Sequence, residues 1–160
     1  GQHEQAVGAA FIAWYNRQHG TAFRYHSRGA DPPDLVYRCG DHEILLEITG
    51  AYYDADNAAM LWQNARDVPG APDMWMGKEP DQKLIDNINA GLAKKCSKPY
   101  PATCVLVMHL NPDITTAEEF EFLIAQIKVP VGHPFAGIYV GGIFPMSRNS
   151  SGGYQWWQLA

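Results

Sequence analysis

The apolar positions of this chain change period several times, and each change marks an element. Between residues 3 and 18, Ala6, Ala9, Ala10, Ala13, Trp14 and Arg17 recur at helical spacing, Phe11 and Tyr15 lie four apart, and Gly20 is a natural stop. Thr21 to His26 alternates like a short strand. The Gly-Ala-Asp-Pro-Pro run at 29–33 reads as a loop, because successive prolines lack donors. Two apolar runs follow, Leu35 to Arg38 and Glu43 to Ile48. With Gly40-Asp41 as a two-residue turn between them, they predict a hairpin.

Downstream, Ala58, Ala59, Leu61, Trp62 and Ala65 predict a helix over 55–66, and the proline-rich stretch from Val68 to Pro80 predicts a loop. Asp81 to Lys95 reads as a second long helix with Leu84, Ile85, Ile88 and Leu92 on one face. The continuous apolar run Cys104 to Leu110 is typical of a strand buried on both sides. Thr115-Thr116 followed by Glu118-Glu119 opens a helix through Ile127. Phe135 to Phe144 reads as another buried strand and Tyr154 to Leu159 as a short final one. The order α-β-β-β-α-α-β-α-β-β has neither repeats nor a linker. It predicts one α/β domain over residues 1–160, a mixed central sheet flanked by helices.

Composition narrows the function classes. The 160 residues suffice for one substantial core. A net charge of −5 argues against a protein that coats nucleic acid through bulk positive charge. It leaves room for a nucleic-acid enzyme, whose metal-binding carboxylates would add negative charge. No apolar stretch approaches the roughly 18 residues of a membrane span. Cys39, Cys96 and Cys104 form no CxxC, and the six histidines have no ligand spacing, so a disulfide framework or zinc finger is not expected. With no signal-peptide pattern, a reducing cytoplasm is the expected location.

Candidate chemistry concentrates in residues 32–50. The hairpin register sets Cys39 opposite His42, Arg38 opposite Glu43 as a cross-strand ion pair, and Asp34 opposite Glu47. Two carboxylates then converge at its open end, and strand alternation adds Thr49 to the same face. Glu47 lies inside the apolar run Ile44 to Ile48, and a buried glutamate is rare unless paired. Adjacent carboxylates repel unless a positive charge arrives. A hard cation, Mg²⁺ or Mn²⁺, resolves that conflict, with the main-chain carbonyl of Ile48 as a further ligand. Such a site activates water and stabilises phosphate during phosphodiester cleavage.

Pro33-Asp34, followed by Glu47-Ile48-Thr49 at the end of the next strand, resembles the PD-(D/E)XK nuclease superfamily. The resemblance implies a restriction-endonuclease-like fold and metal-dependent hydrolysis, of DNA rather than RNA. It assigns Asp34 and Glu47 to the metal, Glu4 to the acid of the first helix, and Thr49 to the position of the motif lysine. Threonine brings no charge there. Some members of the superfamily supply that lysine from another element; Lys83, Lys94 and Lys78 are the candidates, with Lys83 as the working assignment. The alternative is a catalytically inactive relative serving as a binding or assembly module.

Other features receive plainer readings. Lys94, Lys95 and Lys98 cluster where a helix C-terminus favours cations, and read as a solvated end. Trp62, Trp75 and Met76 read as a core edge or an oligomer contact. Trp156-Trp157 suggests a last strand docked on the core or on a partner chain, so a homodimer stays open.

Overall fold

The computed structural model describes residues 2–51, 78–112, 115–144 and 153–160, with backbone only at 78–80. The helix expected over 55–66, most of the Val68–Pro80 loop, and Trp62, Trp75, Met76 and the Lys78 side chain lie outside the described residues.

The first helix, α1 (Gln2–His19), buries Val7, Gly8, Phe11 and Ile12. The alanines that mark its period, Ala6, Ala9 and Ala13, face outward. Larger side chains remove more apolar surface from water and so decide which stripe is buried. Gly8 lets the helix approach closely, since a Cβ there would lie 2.5 Å from Leu35 Cδ1. Past its end, the Asn16 side chain redirects the chain. Asn16 Oδ1 accepts from Thr21 Oγ1 at 2.8 Å and from the Phe23 N–H at 2.9 Å, while Nδ2 donates to Phe23 O at 3.0 Å.

The strands are β1 (Arg24–Arg28), β2 (Leu35–Cys39), β3 (His42–Gly50), β4 (Cys104–Leu110), β5 (Gly137–Gly142) and β6 (Gln155–Gln158). Among the described residues they form one six-stranded sheet in chain order. β3, β4 and β5 run parallel, and the outer pairings are antiparallel. This is the mixed sheet expected of the α/β pattern. In the β2–β3 hairpin, pairs run from Leu35↔Leu46 to Cys39↔His42, and Arg38 Nε meets Glu43 Oε2 at 3.0 Å.

The second described helix, α2 (Lys78–Cys96), starts three residues before its predicted limit. Pro80 falls in the first turn, where a missing N–H costs nothing. The third, α3 (Ala117–Leu123), is capped by Thr116, whose side chain accepts from the Glu119 N–H. It tightens into a 3₁₀ turn at Ile124–Gln126 instead of continuing to Ile127.

Strand alternation divides the core into two layers. Leu84, Ile85, Ile88 and Leu92 of α2 pack with Leu106, Met108 and Ile138 on one face. Val7, Phe11 and Ile12 of α1 pack with Leu35, Leu46, Val107 and Tyr139 on the other. No described helix is long and apolar enough to cross a membrane.

Candidate active site

The loop between β1 and β2 is tied to itself before it delivers Asp34. The Gly29 N–H donates to Asp34 O at 2.8 Å, and the Asp31 N–H donates to Pro33 O at 3.0 Å. Gly29 is required here because a Cβ would fall on the Pro33 carbonyl oxygen. Asp31 takes a left-handed φ of 54°, a conformation that aspartate adopts more readily than most residues. The Asp34 N–H then donates to Leu46 O at 2.9 Å, immediately before the first paired residue of β2.

Asp34 therefore stands where β2 stops and β3 continues. Its Oδ2 accepts from the Ile48 N–H at 2.8 Å. Even-numbered residues of β3 direct their main-chain groups toward β2, and odd-numbered ones toward β4, as the Leu45 N–H bond to Thr103 O shows. The Asp34 carboxylate thus replaces a missing rung at Ile48. The Ile48 carbonyl shares that strand edge.

Glu47, an odd-numbered residue, points into the α2 layer and is only 4% exposed. Its Oε2 accepts from Lys95 Nζ at 3.1 Å and from Tyr100 Oη at 2.9 Å. Lys95 is itself largely buried, its side chain 21% exposed. Tyr100 packs on Phe135, with ring centroids 4.6 Å apart. Burial, followed by its bond to Glu47, raises the hydroxyl pKa of Tyr100, so it stays protonated and donates.

Asp34 and Glu47 are close enough for one carboxyl to hydrogen-bond the other. Burial pushes Asp34 up to about 6, opposed by the Ile48 N–H and reinforced by Glu47 and by the charge of Glu4. Two carboxyl groups this close favour a protonated Asp34 more than water does. Glu4, at the start of α1, also lines a cleft of about 400 Å³ with Arg28, Gly29, Asp31, Asp34 and Leu35.

The structure thus brings Asp34 and Glu47 together, with Glu4 on the wall of the cleft that Asp34 also lines. Thr49 is half-buried two residues beyond Glu47 on the same face, paired with Met108. Lys83 does not reach this cluster through its helix. It lies twelve residues before Lys95 on α2, roughly 18 Å away along the axis at 1.5 Å per residue. Lys94 is exposed. The lysine at Glu47 is Lys95, which the sequence placed in a solvated cluster. One signal did mark it: Lys95 follows Ile88 and Leu92 at i+7 and i+3, on the inward stripe of α2. Tyr100 had no comparable mark, standing between two prolines beyond the helix.

Among the described residues, no group of three or more His, Cys, Asp or Glu side chains is arranged to hold a metal ion. The donors that do converge are two carboxylates. They suit a hard, oxygen-seeking cation such as Mg²⁺, which protein sites commonly hold by one or two carboxylates.

No family model, no curated protein and no solved structure matches this chain.

Proposed function

We propose that this chain has the restriction-endonuclease-like fold and is a metal-dependent nuclease, hydrolysing phosphodiester bonds in DNA in preference to RNA. The observation that carries this reading is Lys95 on Glu47 beside Asp34. The cation missing from the strand position held by Thr49 comes from the end of α2. The α-β-β-β-α-β order of the described elements, and two acids meeting at the open end of the β2–β3 hairpin, support the same reading.

Asp34 and Glu47 would hold Mg²⁺ or Mn²⁺, with the Ile48 carbonyl at the same strand edge. The bound ion would polarise the phosphate and lower the pKa of water. The chain's own groups do the rest. Asp34, held by the Ile48 N–H, would offer its carboxylate to the cation. Tyr100 and Lys95 hold one oxygen of Glu47, fixing the carboxylate's direction. Lys95 Nζ stands 3.1 Å from Glu47 Oε2, where an ammonium would offset negative charge developing on phosphate oxygens. The Thr49 hydroxyl lies two residues along the same strand face and offers a neutral donor. Glu4 adds negative charge on the α1 side, strengthening the preference for a divalent ion.

The test is cleavage of plasmid DNA and of structured RNA with Mg²⁺ or Mn²⁺, alongside calorimetric metal titration. The expected result is metal-dependent DNA cleavage, abolished by Glu47→Ala. Absence of both cleavage and metal binding in the wild-type chain would overturn the reading and favour a binding or assembly module.

A further inference from the structure

The pairing of β1 with β2 slips by one residue. Arg24 opposes Arg38 and Tyr25 opposes Tyr37, but Ser27 then opposes Val36 and Arg28 opposes Leu35, leaving His26 as the extra residue of a bulge. In an unbroken strand, Arg24, His26 and Arg28 would share one face. Opposed residues share a face, so the bulge separates the two arginines. Arg24 stays on the face of Arg38. Arg28 turns to the face of Leu35, which belongs to the α1 layer. Bulges beside functional sites commonly re-aim a side chain in this way.

The consequence is chemical. Arg28 forms part of the cleft wall with Glu4, Asp31 and Asp34. Among these lining residues it supplies the one cation against three carboxylates. A polyanion entering this cleft meets repulsion everywhere except at that guanidinium and at any divalent ion between Asp34 and Glu47. The chain's net charge of −5 offers no general attraction, so affinity for a phosphate backbone has to be local. A guanidinium fits that task because its planar fork bonds two phosphate oxygens at once.

We propose that Arg28 is the phosphate-binding residue of this cleft, holding a backbone phosphate of a nucleic-acid strand adjacent to the one placed at Asp34 and Glu47. This rests on the nuclease reading for the identity of the substrate. Arg28 itself positions the strand and takes no part in bond cleavage. The contact is to the backbone, so it is indifferent to base sequence.

The test uses the full chain, labelled DNA and RNA oligonucleotides of matched sequence, and fluorescence anisotropy over a range of salt concentrations. Arg28→Gln is expected to weaken binding on the order of tenfold, equally for all sequences, and to make the log–log salt dependence shallower by about one. Arg28→Lys is expected to retain the wild-type slope. In cleavage assays the loss appears in KM rather than kcat. A purely structural arginine would lower Tm and leave the slope unchanged. Wild-type affinity and slope in Arg28→Gln, or no oligonucleotide binding by the wild-type chain, would overturn the proposal. Arg28-dependent binding without cleavage would uphold this contact and remove the catalytic reading. The DNA and RNA arms identify which backbone is held.

Discussion

Lys95 sets its ammonium nitrogen 3.1 Å from Oε2 of Glu47, joining residues 48 positions apart. Glu47 is nearly inaccessible to solvent, so this pair is not a surface ornament. It gives a buried carboxylate the positive partner that its burial demands.

If Lys95 fills the role of the motif lysine, moving that charge back to the strand should restore what its loss removes. Lys95→Ala is expected to lower DNA cleavage by about 10²- to 10³-fold, the usual effect of removing one group that stabilises developing charge. The double variant Lys95→Ala with Thr49→Lys is expected to recover much of that loss, because residue 49 shares the face of Glu47. Single-turnover cleavage of all three chains decides it. No recovery, with folding intact by circular dichroism, would disconnect Lys95 from the reaction.

Asp34 predicts a pH dependence with a definite sign. Its pKa is raised from 3.8 to about 6 in the fold, first by burial. The folded state therefore favours the protonated form. The associated stability is fully present below about pH 4 and is lost as pH rises through about 6. Asn in this place accepts from the Ile48 N–H and donates to Glu47 without adding charge. Asp34→Asn is thus expected to match wild type at pH 4 and exceed it at pH 7 by about 1 kcal/mol, a value discounted for partial exposure, or roughly 2–4 °C in Tm. The same variant should lose metal-dependent cleavage. Thermal melts of both chains across this range provide the check.

Tyr100→Phe removes the other donor to Glu47 Oε2 while keeping the ring against Phe135. The expected cost is about 1 kcal/mol, the net worth of one hydrogen bond, with cleavage reduced because Glu47 is held by Lys95 alone. Chemical denaturation and cleavage rates measure the two effects separately. Unchanged values for both would show that Lys95 suffices to fix the carboxylate.

The hairpin was legible because its information is local. A two-residue turn at Gly40-Asp41 sets the pairs from Cys39↔His42 to Leu35↔Leu46. Asp34 leaves that register, its N–H on Leu46 O and its carboxylate on the Ile48 N–H, and meets Glu47 through its side chain instead of as a ladder pair. Burial of Glu47 was legible from its apolar neighbours. What surrounds that carboxylate was not, since Lys95 and Tyr100 reach it through the docking of α2, which local patterns do not specify. The lysine cluster hid its inward member because a helix terminus already explains cations there. Arg28 was hidden differently: the alternating pattern ends at His26, whereas β1 runs on to Arg28, and one bulged residue decides which face Arg28 takes. The alanine period of α1 located the helix but not its buried side, which Val7, Phe11 and Ile12 form.

The placement of α1 and α2 on opposite faces of the sheet has a consequence for when the site exists. Glu4 belongs to one layer and Lys95 to the other, while Asp34 and Glu47 lie in the strands between them. Undocking either helix dismantles part of the cluster even if the hairpin survives. A newly made or partly melted chain therefore carries the two acids without their full retinue of charges. The charge cluster is complete only when both layers have assembled on the sheet.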